Sequence, residues 1–374
     1  MGDEYGPWDP VDRQELADLM DHLGVRWWFT GGHALELHLG RSWRGHEDID
    51  VSIVRGDIGV LRSLESEWEI HVAAAGVLRR WDGTPLSVEA NENNVWLRRP
   101  GGPWGIDLTI GDGDKERWVY RRDTTFSLPW DRVVLRDQEG LPYLTPAIQM
   151  LFKSKQQRPK DDIDAGVVIP TLDDWSLAVL DLRLPAGHPW GDLVAAHRRE
   201  MRADDVVTLL DAFERDEVDV WVDGGWGIDA LLGAQQRRHA DLDLALPTRQ
   251  WGAATDTLEA IGFATIRDDG PYNQVLVDDD GRVVDLHAFD DESTVIGDDG
   301  VERHGPKGLA YVTGGFDGRG IVAGRTVRCM TAEFQMWSHT GYVADADDFH
   351  DVERLHRRFG LPIPAGYEAW LDGP

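Results

Sequence analysis

The sequence predicts an α/β (α+β) protein made of two similar domains in which strands and helices alternate. Its 374 residues exceed one compact domain of ordinary size and suit two of about 180 residues, each with its own core. Residues 31–53 (GGHALELHLGRSWRGHEDIDVSI) align without gaps with residues 224–246 (GGWGIDALLGAQQRRHADLDLAL). Glycines, a histidine and two aspartates recur there at identical spacing, so duplication or fusion of related domains explains the repeat.

Each half shows the same order of predicted elements. An amphipathic helix (residues 14–23; 203–214) precedes a β-rich run (25–30; 218–223), a Gly-Gly turn, a helix that ends at Gly40 or Gly233, and a strand that carries Asp-x-Asp. A β-hairpin follows, with its turn at residues 100–103 or 280–281. Helices close each half.

A second repeated block and a Pro-Gly segment define the domain organisation. Thr145-Pro-Ala-Ile-Gln-Met aligns with Thr331-Ala-Glu-Phe-Gln-Met, which pairs Lys153 with His339 and Asp161-Asp162 with Asp347-Asp348. Residues 182–192 (LRLPAGHPWGD) end the helical pattern of residues 175–180 before the next helix begins near residue 193. We therefore predict one domain over residues 1–195 and a second over residues 196–374.

The charge and cysteine content limit the partners and the metal. The net charge of −30 repels phosphate backbones, so nucleic acid is a poor candidate, whereas a cationic small molecule or a generally acidic proteome fits equally well. The single Cys329 excludes an internal disulfide and a multi-cysteine metal site, which favours magnesium over zinc. The first ten residues, MGDEYGPWDP, resemble no secretory leader, and no window approaches the roughly 18 apolar residues of a membrane span. We expect a cytoplasmic protein.

Two Asp-x-Asp pairs are the candidate metal ligands. Asp48 and Asp50, like Asp241 and Asp243, fall at positions i and i+2 of an apolar-alternating strand, so both carboxylates share one face. Such a pair can bind two metal ions in phosphoryl transfer. Taken alone, the pattern also describes a solvated strand edge in a chain with 68 acidic residues.

The Gly-Gly turns strengthen the metal-site interpretation. Gly31-Gly32 and Gly224-Gly225 each precede an Asp-x-Asp strand and begin a helix. Glycines allow the backbone to approach a phosphate, and the N–H groups of a helix start attract it. A tight turn without a ligand is the alternative for each glycine pair alone.

A third carboxylate is expected on a neighbouring strand, where it completes the metal site and accepts the proton of the attacking hydroxyl. Asp285 in RVVDLHAF and Asp107 in WGIDLTIG, each just after a hairpin turn, are the candidates. An unrelated surface aspartate is the alternative for either.

The stretch VWVDGGWGIDALLGAQQRRHADLDLAL, continued by VVDLHAF and HTGYVADADDFHDVERL, resembles the lincosamide nucleotidyltransferases and aminoglycoside 2''-adenylyltransferases. The resemblance covers nearly all of residues 200–360 and implies a DNA polymerase beta-like nucleotidyltransferase fold, with a mixed β-sheet flanked by helices. It also implies that Asp241, Asp243 and Asp285 bind metal and that Gly224 and Gly225 border the triphosphate. The first half is similar to a looser nucleotidyltransferase group and departs at His33, where the second half has Trp226.

Several other side chains have two interpretations. Lys153, Lys155 and Lys160 cluster on one predicted helix, where they contact a triphosphate or form a solvated face with Asp161 and Asp162. His46 and His239 suit a structural contact better than metal ligation, and His287 and His339 are structural or line an acceptor pocket. Tryptophans near the glycine turns either stack on a ligand or pack in the core, and the core is favoured for the two within strands; these four are Trp27, Trp28, Trp221 and Trp226.

Together these features predict an enzyme that transfers a nucleoside monophosphate, with ATP as the expected donor and magnesium as cofactor, to a hydroxyl of a small antibiotic. Pyrophosphate would be released. Two alternatives remain: a toxin-like transferase that modifies tRNA or protein, and a chain in which one half is a non-catalytic binding module.

Overall fold

The computed structural model divides the chain into two compact units, which end and begin at His197 and Arg198. We call them unit 1 and unit 2. The structure describes residues 5–297, 300–304, 311–340 and 344–367. Residues 341–343, within the stretch that carries the resemblance, lie outside this part of the chain.

Unit 1 contains one main sheet and its flanking helices. The helices are α1 (Arg13–Leu23), α2 (Gly31–Leu39), α3 (Trp130–Val133), α4 (Pro146–Ser154), α5 (Pro159–Val168), α6 (Asp174–Arg183) and α7 (Gly191–Ala195). The strands are β1 (Trp27–Phe29), β2 (Asp50–Val54), β3 (Glu69–Ala74), β4 (Val77–Arg80), β5 (Asn94–Arg98), β6 (Trp104–Gly113), β7 (Arg117–Val119), β8 (Ser127–Pro129), β9 (Val134–Arg136) and β10 (Pro142–Leu144).

Unit 2 repeats this arrangement. Its helices are α8 (Ala203–Arg215), α9 (Gly224–Leu232), α10 (Trp251–Ala260), α11 (Ala332–Ser338) and α12 (Ala346–Phe359). Its strands are β11 (Trp221–Val222), β12 (Leu242–Pro247), β13 (Ala264–Asp268), β14 (Asn273–Val277), β15 (Val283–Phe289), β16 (Thr294–Ile296), β17 (Glu302–His304), β18 (Gly318–Val322) and β19 (Arg325–Cys329).

The two sheets share one topology. The strand order is β4-β3-β5-β6-β2-β1-β10-β9 in unit 1 and β13-β14-β15-β12-β11-β19-β18 in unit 2. In both, the two strands that flank the predicted turn, β5 and β6 in unit 1 and β14 and β15 in unit 2, form the antiparallel hairpin that was predicted. The second strand of each hairpin pairs in parallel with the Asp-x-Asp strand. The sheets are therefore mixed and flanked by helices, which confirms the predicted fold class.

The helix that precedes each Gly-Gly turn forms where its apolar spacing predicts. In α1 the Asp12 carboxylate caps the N-terminus by accepting from the Gln14 N–H, and Gly24 ends the helix with φ of 67°. Its buried residues, Leu16, Ala17 and Met20, recur at helical spacing. The following strands are shorter than predicted, Trp27–Phe29 and Trp221–Val222.

The closing helices of unit 1 correct one prediction. Lys153 lies on α4, whereas Lys160 lies on α5, so the lysines do not share one helix. Pro159 is the reason: Arg158 before it is extended, with φ of −112° and ψ of 159°, because the proline ring disfavours a helical conformation in the preceding residue. Pro159 itself begins α5, where its missing N–H costs nothing.

The second repeated block also needs a one-residue shift. Asp161 and Asp348 occupy the same capping-box position, three residues after the N-caps Arg158 and Asp345. Asp161 therefore corresponds to Asp348, rather than to Asp347 as the ungapped alignment predicts. The loop before the helix differs in length between the units.

No helix of the described residues is long and apolar enough to cross a membrane.

Candidate active site

The third carboxylate lies directly beside the Asp-x-Asp strand in both units. In unit 2 the parallel pair β12 and β15 places Asp243 opposite Asp285. In unit 1 the parallel pair β2 and β6 places Asp50 opposite Asp107. Neighbouring strands lie about 4.8 Å apart, so each pair of carboxylates can reach a common cation. The predicted position on a neighbouring strand is confirmed.

The first aspartate of each Asp-x-Asp pair lies just before the strand rather than within it. β2 begins at Asp50 and β12 begins at Leu242, so Asp48 and Asp241 belong to the preceding loops. Both side chains are half-buried. The prediction that both carboxylates lie within the strand is therefore wrong by one or two residues, because these loops are held by side-chain contacts rather than by strand pairing.

An arginine clamp holds each of these loops. The Arg44 guanidinium donates from Nε to Asp164 Oδ1 (2.7 Å) and from Nη2 to Oδ2 (2.9 Å). Arg237 makes the same bidentate contact with Asp351, with Nη2 2.7 Å from Oδ2. Asp164 and Asp351 are buried, and such paired hydrogen bonds fix the orientation of both groups. The repeat made the arginines visible in the sequence, but their partners lie far along the chain.

The first glycine of each Gly-Gly turn is required by the second aspartate. Gly31 and Gly224 have φ of 63° and 55°, a conformation that favours glycine. A Cβ at Gly31 would overlap the Asp50 carboxylate, and a Cβ at Gly224 would overlap that of Asp243. The turn therefore brings the start of the helix against the second aspartate, a candidate metal ligand, at the place where we predicted that a phosphate approaches.

The second glycine of each turn makes room for a histidine. A Cβ at Gly32 or Gly225 would overlap the ring of His46 or His239. His46 Nε2 lies 2.8 Å from Glu36 Oε1, and His239 Nε2 lies 2.5 Å from Asp229 Oδ2. These histidines tie the Asp-x-Asp loop to the helix that begins at the turn, which agrees with the structural interpretation.

His33, Glu36 and His46 bring three potential ligand atoms close together. Arg13 already supplies a positive charge there, because its Nη2 lies 3.0 Å from His33 Nδ1 and 2.9 Å from Glu36 Oε2.

In unit 2, Trp226 takes the place of His33 and is buried in the apolar core. Trp27 and Trp28 are also buried, and Trp221 packs edge-on against Phe316.

An asparagine holds the third carboxylate in both units. Asn94 Nδ2 donates to Asp107 Oδ1 (3.0 Å), and Asn273 Nδ2 donates to Asp285 Oδ1. Each asparagine is the first residue of the strand before the hairpin turn. This pair was not predicted, although a repeated Asn ahead of an apolar strand is visible in Asn94-Val95-Trp96-Leu97 and Asn273-Gln274-Val275-Leu276.

His287, for which the sequence left a structural role or a place in an acceptor pocket open, lies beside the carboxylates of unit 2. It follows Asp285 by two residues on β15, so its side chain shares the same face, and its Nε2 lies 3.3 Å from Asp243 Oδ1 and 3.5 Å from Asp285 Oδ1. Thr109 occupies its position in unit 1, where it faces Ser52. His339, by contrast, contacts the Gln335 carbonyl (2.7 Å), as its structural interpretation predicted.

The carboxylates of unit 2 repel one another at half-buried positions. Burial and the charge of Asp243 raise the pKa of Asp241 to about 7. Burial, with the charge of Asp243, also raises the pKa of Asp285 to about 6 against the opposing effect of His287. The negative charge of these carboxylates stabilises the protonated form of His287. Although burial lowers the pKa of His287, the hydrogen bond to Asp243 and the nearby carboxylates raise it to about 9. The cluster thus favours a cation.

Unit 1 shows the same repulsion. Burial, followed by the charges of Asp107 and Asp48, raises the pKa of Asp50 well above its ordinary value. Burial also raises the pKa of Asp107 to about 6, although the hydrogen bond from Asn94 opposes this shift. Carboxylate oxygens are the ligands that magnesium prefers. Asp48, Asp50 and Asp107 in unit 1, and Asp241, Asp243 and Asp285 in unit 2, therefore fit that ion.

Lys153 is already neutralised within unit 1. It is 7% exposed, and its Nζ lies 2.8 Å from Asp161 Oδ1 and 3.0 Å from Asp164 Oδ2. Asp161 is thus its partner, as one of its two interpretations held, but the second partner is Asp164 rather than Asp162, and the side chain is buried rather than part of a solvated face. The ammonium nevertheless lines a cavity that also contains Lys160 and Arg158.

Comparison with known proteins decides the family. The family model described as aminoglycoside-2''-adenylyltransferase matches residues 14–67 and 205–355, which together exceed half of the chain. The chain belongs to this family. This confirms the predicted resemblance, and the family's curated members identify the chain as a nucleotidyltransferase.

The relatives of known name match a stretch of this chain that is about as long as one unit. A lincosamide resistance protein of Staphylococcus haemolyticus is 30% identical over 149 residues, which is 39% of this chain and 89% of that protein. A 2''-aminoglycoside nucleotidyltransferase of Klebsiella pneumoniae is 29% identical over 148 residues, 39% of this chain and 75% of that protein. Among solved structures, the lincosamide adenylyltransferase LnuA bound to lincomycin is 28% identical, with 42% of this chain and 98% of that chain covered and a TM-score of 0.36.

Proposed function

We propose that this chain transfers a nucleoside monophosphate, with ATP as the donor, to a hydroxyl group of a small antibiotic of the lincosamide or aminoglycoside type. The reaction depends on magnesium and releases pyrophosphate. The observation that carries the proposal is the parallel register of Asp243 and Asp285 beside the Gly224 turn. The relatives of known activity are a lincosamide resistance protein and aminoglycoside nucleotidyltransferases, which supports this acceptor class.

In this proposal Asp241, Asp243 and Asp285 hold the magnesium. When bound, the ion neutralises phosphate charge and polarises the α-phosphoryl group. Gly224 and Gly225 border the triphosphate at the start of α9, where the helix dipole favours negative charge.

Asp285 is also the proposed acceptor of the proton of the attacking hydroxyl. Asn273 donates to its Oδ1, which fixes the carboxyl plane and leaves Oδ2 toward Arg267 at 3.4 Å. The hydroxyl oxygen can then attack the α-phosphorus in line with the departing pyrophosphate.

A direct assay tests the proposal. The full chain is incubated with magnesium, each of the four nucleoside triphosphates, and a panel of lincosamides and aminoglycosides, and adducts are sought by mass spectrometry. We expect an AMP adduct on an antibiotic hydroxyl with equimolar pyrophosphate. A parallel incubation with tRNA covers the toxin-like alternative, which the net charge of −30 disfavours. Modified tRNA without any antibiotic adduct would contradict the proposal.

A further inference from the structure

Two cavities of unit 1 meet at its carboxylates. The first, of about 300 Å³, contains the Gly31 turn, and we call it the cationic cavity. The second, of about 870 Å³, is lined by aromatic rings and the β3–β4 hairpin, and we call it the aromatic cavity. Both volumes lie within the range of about 300–1,000 Å³ of small-molecule sites. Four residues line both cavities: Asp48, Asp107, Arg158 and Lys160.

The cationic cavity suits a polyphosphate. Besides Lys160, it is lined by Arg121 and Arg122. Arg121 donates to the Ile110 carbonyl (2.9 Å) and Arg122 to the Phe152 carbonyl (2.9 Å), so these hydrogen bonds hold the guanidinium groups without cancelling their charge. Positive charges beside a carboxylate cluster and a glycine turn match a metal-bound triphosphate.

The aromatic cavity suits an apolar face. Half-buried Trp8 packs edge-on against Trp96, with ring centroids 5.2 Å apart, and Tyr5 packs edge-on against the same ring at 6.0 Å. The Tyr5 hydroxyl donates to the Gly76 carbonyl (2.6 Å), which ties the N-terminal segment to the β3–β4 hairpin. Val77 lies at the rim and is 63% exposed.

We propose that unit 1 is a second nucleotidyl transfer site, in which the cationic cavity takes the triphosphate and the aromatic cavity binds the acceptor. The acceptor is a small hydroxyl-bearing molecule with an apolar face and no cluster of positive charges. Tyr5, Trp8 and Trp96 line this cavity with aromatic surface, which suits an apolar face better than a polyamine. The inference rests on the reaction class of the proposed function, but it assigns a separate site and limits the acceptor of that site to molecules with an apolar face.

The two cavities meet the geometric need of the reaction. In-line transfer requires the attacking and leaving oxygens on opposite sides of the α-phosphorus. The acceptor oxygen enters from the aromatic cavity and bonds to the α-phosphorus, while the bond to the bridging oxygen breaks and pyrophosphate leaves through the cationic cavity. The hydroxyl proton passes to Asp107, whose Oδ1 already accepts from Asn94.

The test uses the full chain with Asp243→Asn, which disables the unit 2 site. This protein is incubated with ATP, magnesium and either lincomycin, which joins a hydroxylated sugar to an apolar group, or tobramycin, a polycation. We expect an adduct on lincomycin in preference to tobramycin, and its loss in Asp243→Asn/Asp107→Asn. No lincomycin adduct, or a preference for tobramycin, overturns the proposal.

A matched pair of valines tests the aromatic cavity itself. In the Asp243→Asn background, Val77→Asp should raise KM for lincomycin about tenfold with little change in kcat, because it places a charge against the apolar face. Val88→Asp is the control, since Val88 is 59% exposed and does not line the cavity. Lincomycin titration, followed by tryptophan fluorescence, should show the same tenfold difference without turnover. Equal behaviour of the two variants overturns the assignment of this cavity.

The Asp50→Asn chain separates this inference from the proposed function. If Asp50→Asn makes antibiotic adducts and Asp243→Asn makes none, unit 2 is the enzyme and the second site is refuted. If neither single variant makes adducts but the unmodified chain does, the sites are not independent and the inference also fails. Circular dichroism of each variant confirms that the fold is retained.

Discussion

Unit 1 and unit 2 keep the same supports for their carboxylates but surround them differently. Both have the parallel aspartate register, the arginine clamp and the asparagine on the third carboxylate. Around this frame, unit 2 places His287 between two carboxylates, where unit 1 has Thr109 and a cavity lined by arginines and lysines.

The difference between the units indicates which contacts the chemistry requires and which contacts determine the ligand that each unit binds. Duplicated domains are free to diverge where a residue serves one unit's substrate, whereas parts that position metal ligands must agree in both. The shared set is therefore the proposed machinery of phosphoryl transfer. The residues that differ, including the β4 strand that unit 1 adds at its sheet edge, are the proposed determinants of acceptor choice.

Removal of a metal-site carboxylate should have the largest effect. Asp243→Ala in the Asp50→Asn background, where unit 2 acts alone, should lower kcat by about 1,000-fold through lost metal binding, with the fold intact. Asp256→Ala, at an exposed aspartate of α10, is the control. Unchanged turnover in a folded Asp243→Ala protein would remove Asp243 from the site.

Loss of the arginine clamp should lower the free energy of unfolding in either unit. Arg237→Met leaves Asp351, 2% exposed, without its bidentate partner and should cost about 2–3 kcal/mol of unfolding free energy. Arg238→Met is the control, because Arg238 is 85% exposed and its surface pair contributes at most about 1 kcal/mol. Urea unfolding measures both, and equal costs would mean that the clamp is unimportant.

Filling the glycine turn should weaken the site more than the fold. In the Asp50→Asn background, Gly224→Ala adds a Cβ that overlaps the Asp243 carboxylate at φ of 55°, so kcat should fall about 30-fold as the carboxylate moves. Gly233→Ala has a similarly positive φ of 78° but open space around it. Both should lose about 1 kcal/mol of stability, and only Gly224→Ala should lose activity in the adduct assay. An equal loss in both would attribute the effect to backbone strain.

Exchange of the residue that differs between the units should have the smallest effect. His287→Thr gives unit 2 the residue of unit 1 and removes the contact with Asp243 Oδ1. Because this contact positions a carboxylate rather than supplying one, we expect a loss of about tenfold in kcat/KM in the Asp50→Asn background, with the magnesium requirement retained. A 1,000-fold loss, equal to that of Asp243→Ala, would instead make His287 part of the catalytic machinery.

Sequence reasoning succeeded where the determinants are local. Alternating apolar residues, the paired glycines and the hairpin turns predicted the order of elements, and that order led to Asp107 and Asp285. The reasoning did not identify Asn94 and Asn273, because their role depends on cross-strand register rather than on neighbours in the sequence. It also missed the partners of Arg44 and Arg237, which come from helices more than a hundred residues along the chain.

The lysine cluster shows the same limit for residues that are close in the sequence. The closeness of the lysines in the sequence suggested a shared helix, but Pro159 begins a new helix after Lys153. Lys153 is buried and pairs with Asp161 and Asp164 of that second helix. Lys153→Ala would therefore take one cationic partner from two buried carboxylates, Asp161 and Asp164, which keep Arg158 and Arg44, and would test stability rather than triphosphate binding. Lys160, which lines both cavities, is the better position for that test.

The number of magnesium-dependent triphosphate sites per chain tests the central claim, that both units retain a working metal–nucleotide site, most directly. The full chain is titrated calorimetrically with a nonhydrolysable ATP analogue, with and without magnesium. We expect two sites per chain when magnesium is present and none when it is absent. Asp50→Asn and Asp243→Asn should each remove one site, and the double variant should bind none. One site that disappears with Asp243→Asn and is unaffected by Asp50→Asn would contradict the claim and leave unit 1 as a non-catalytic module.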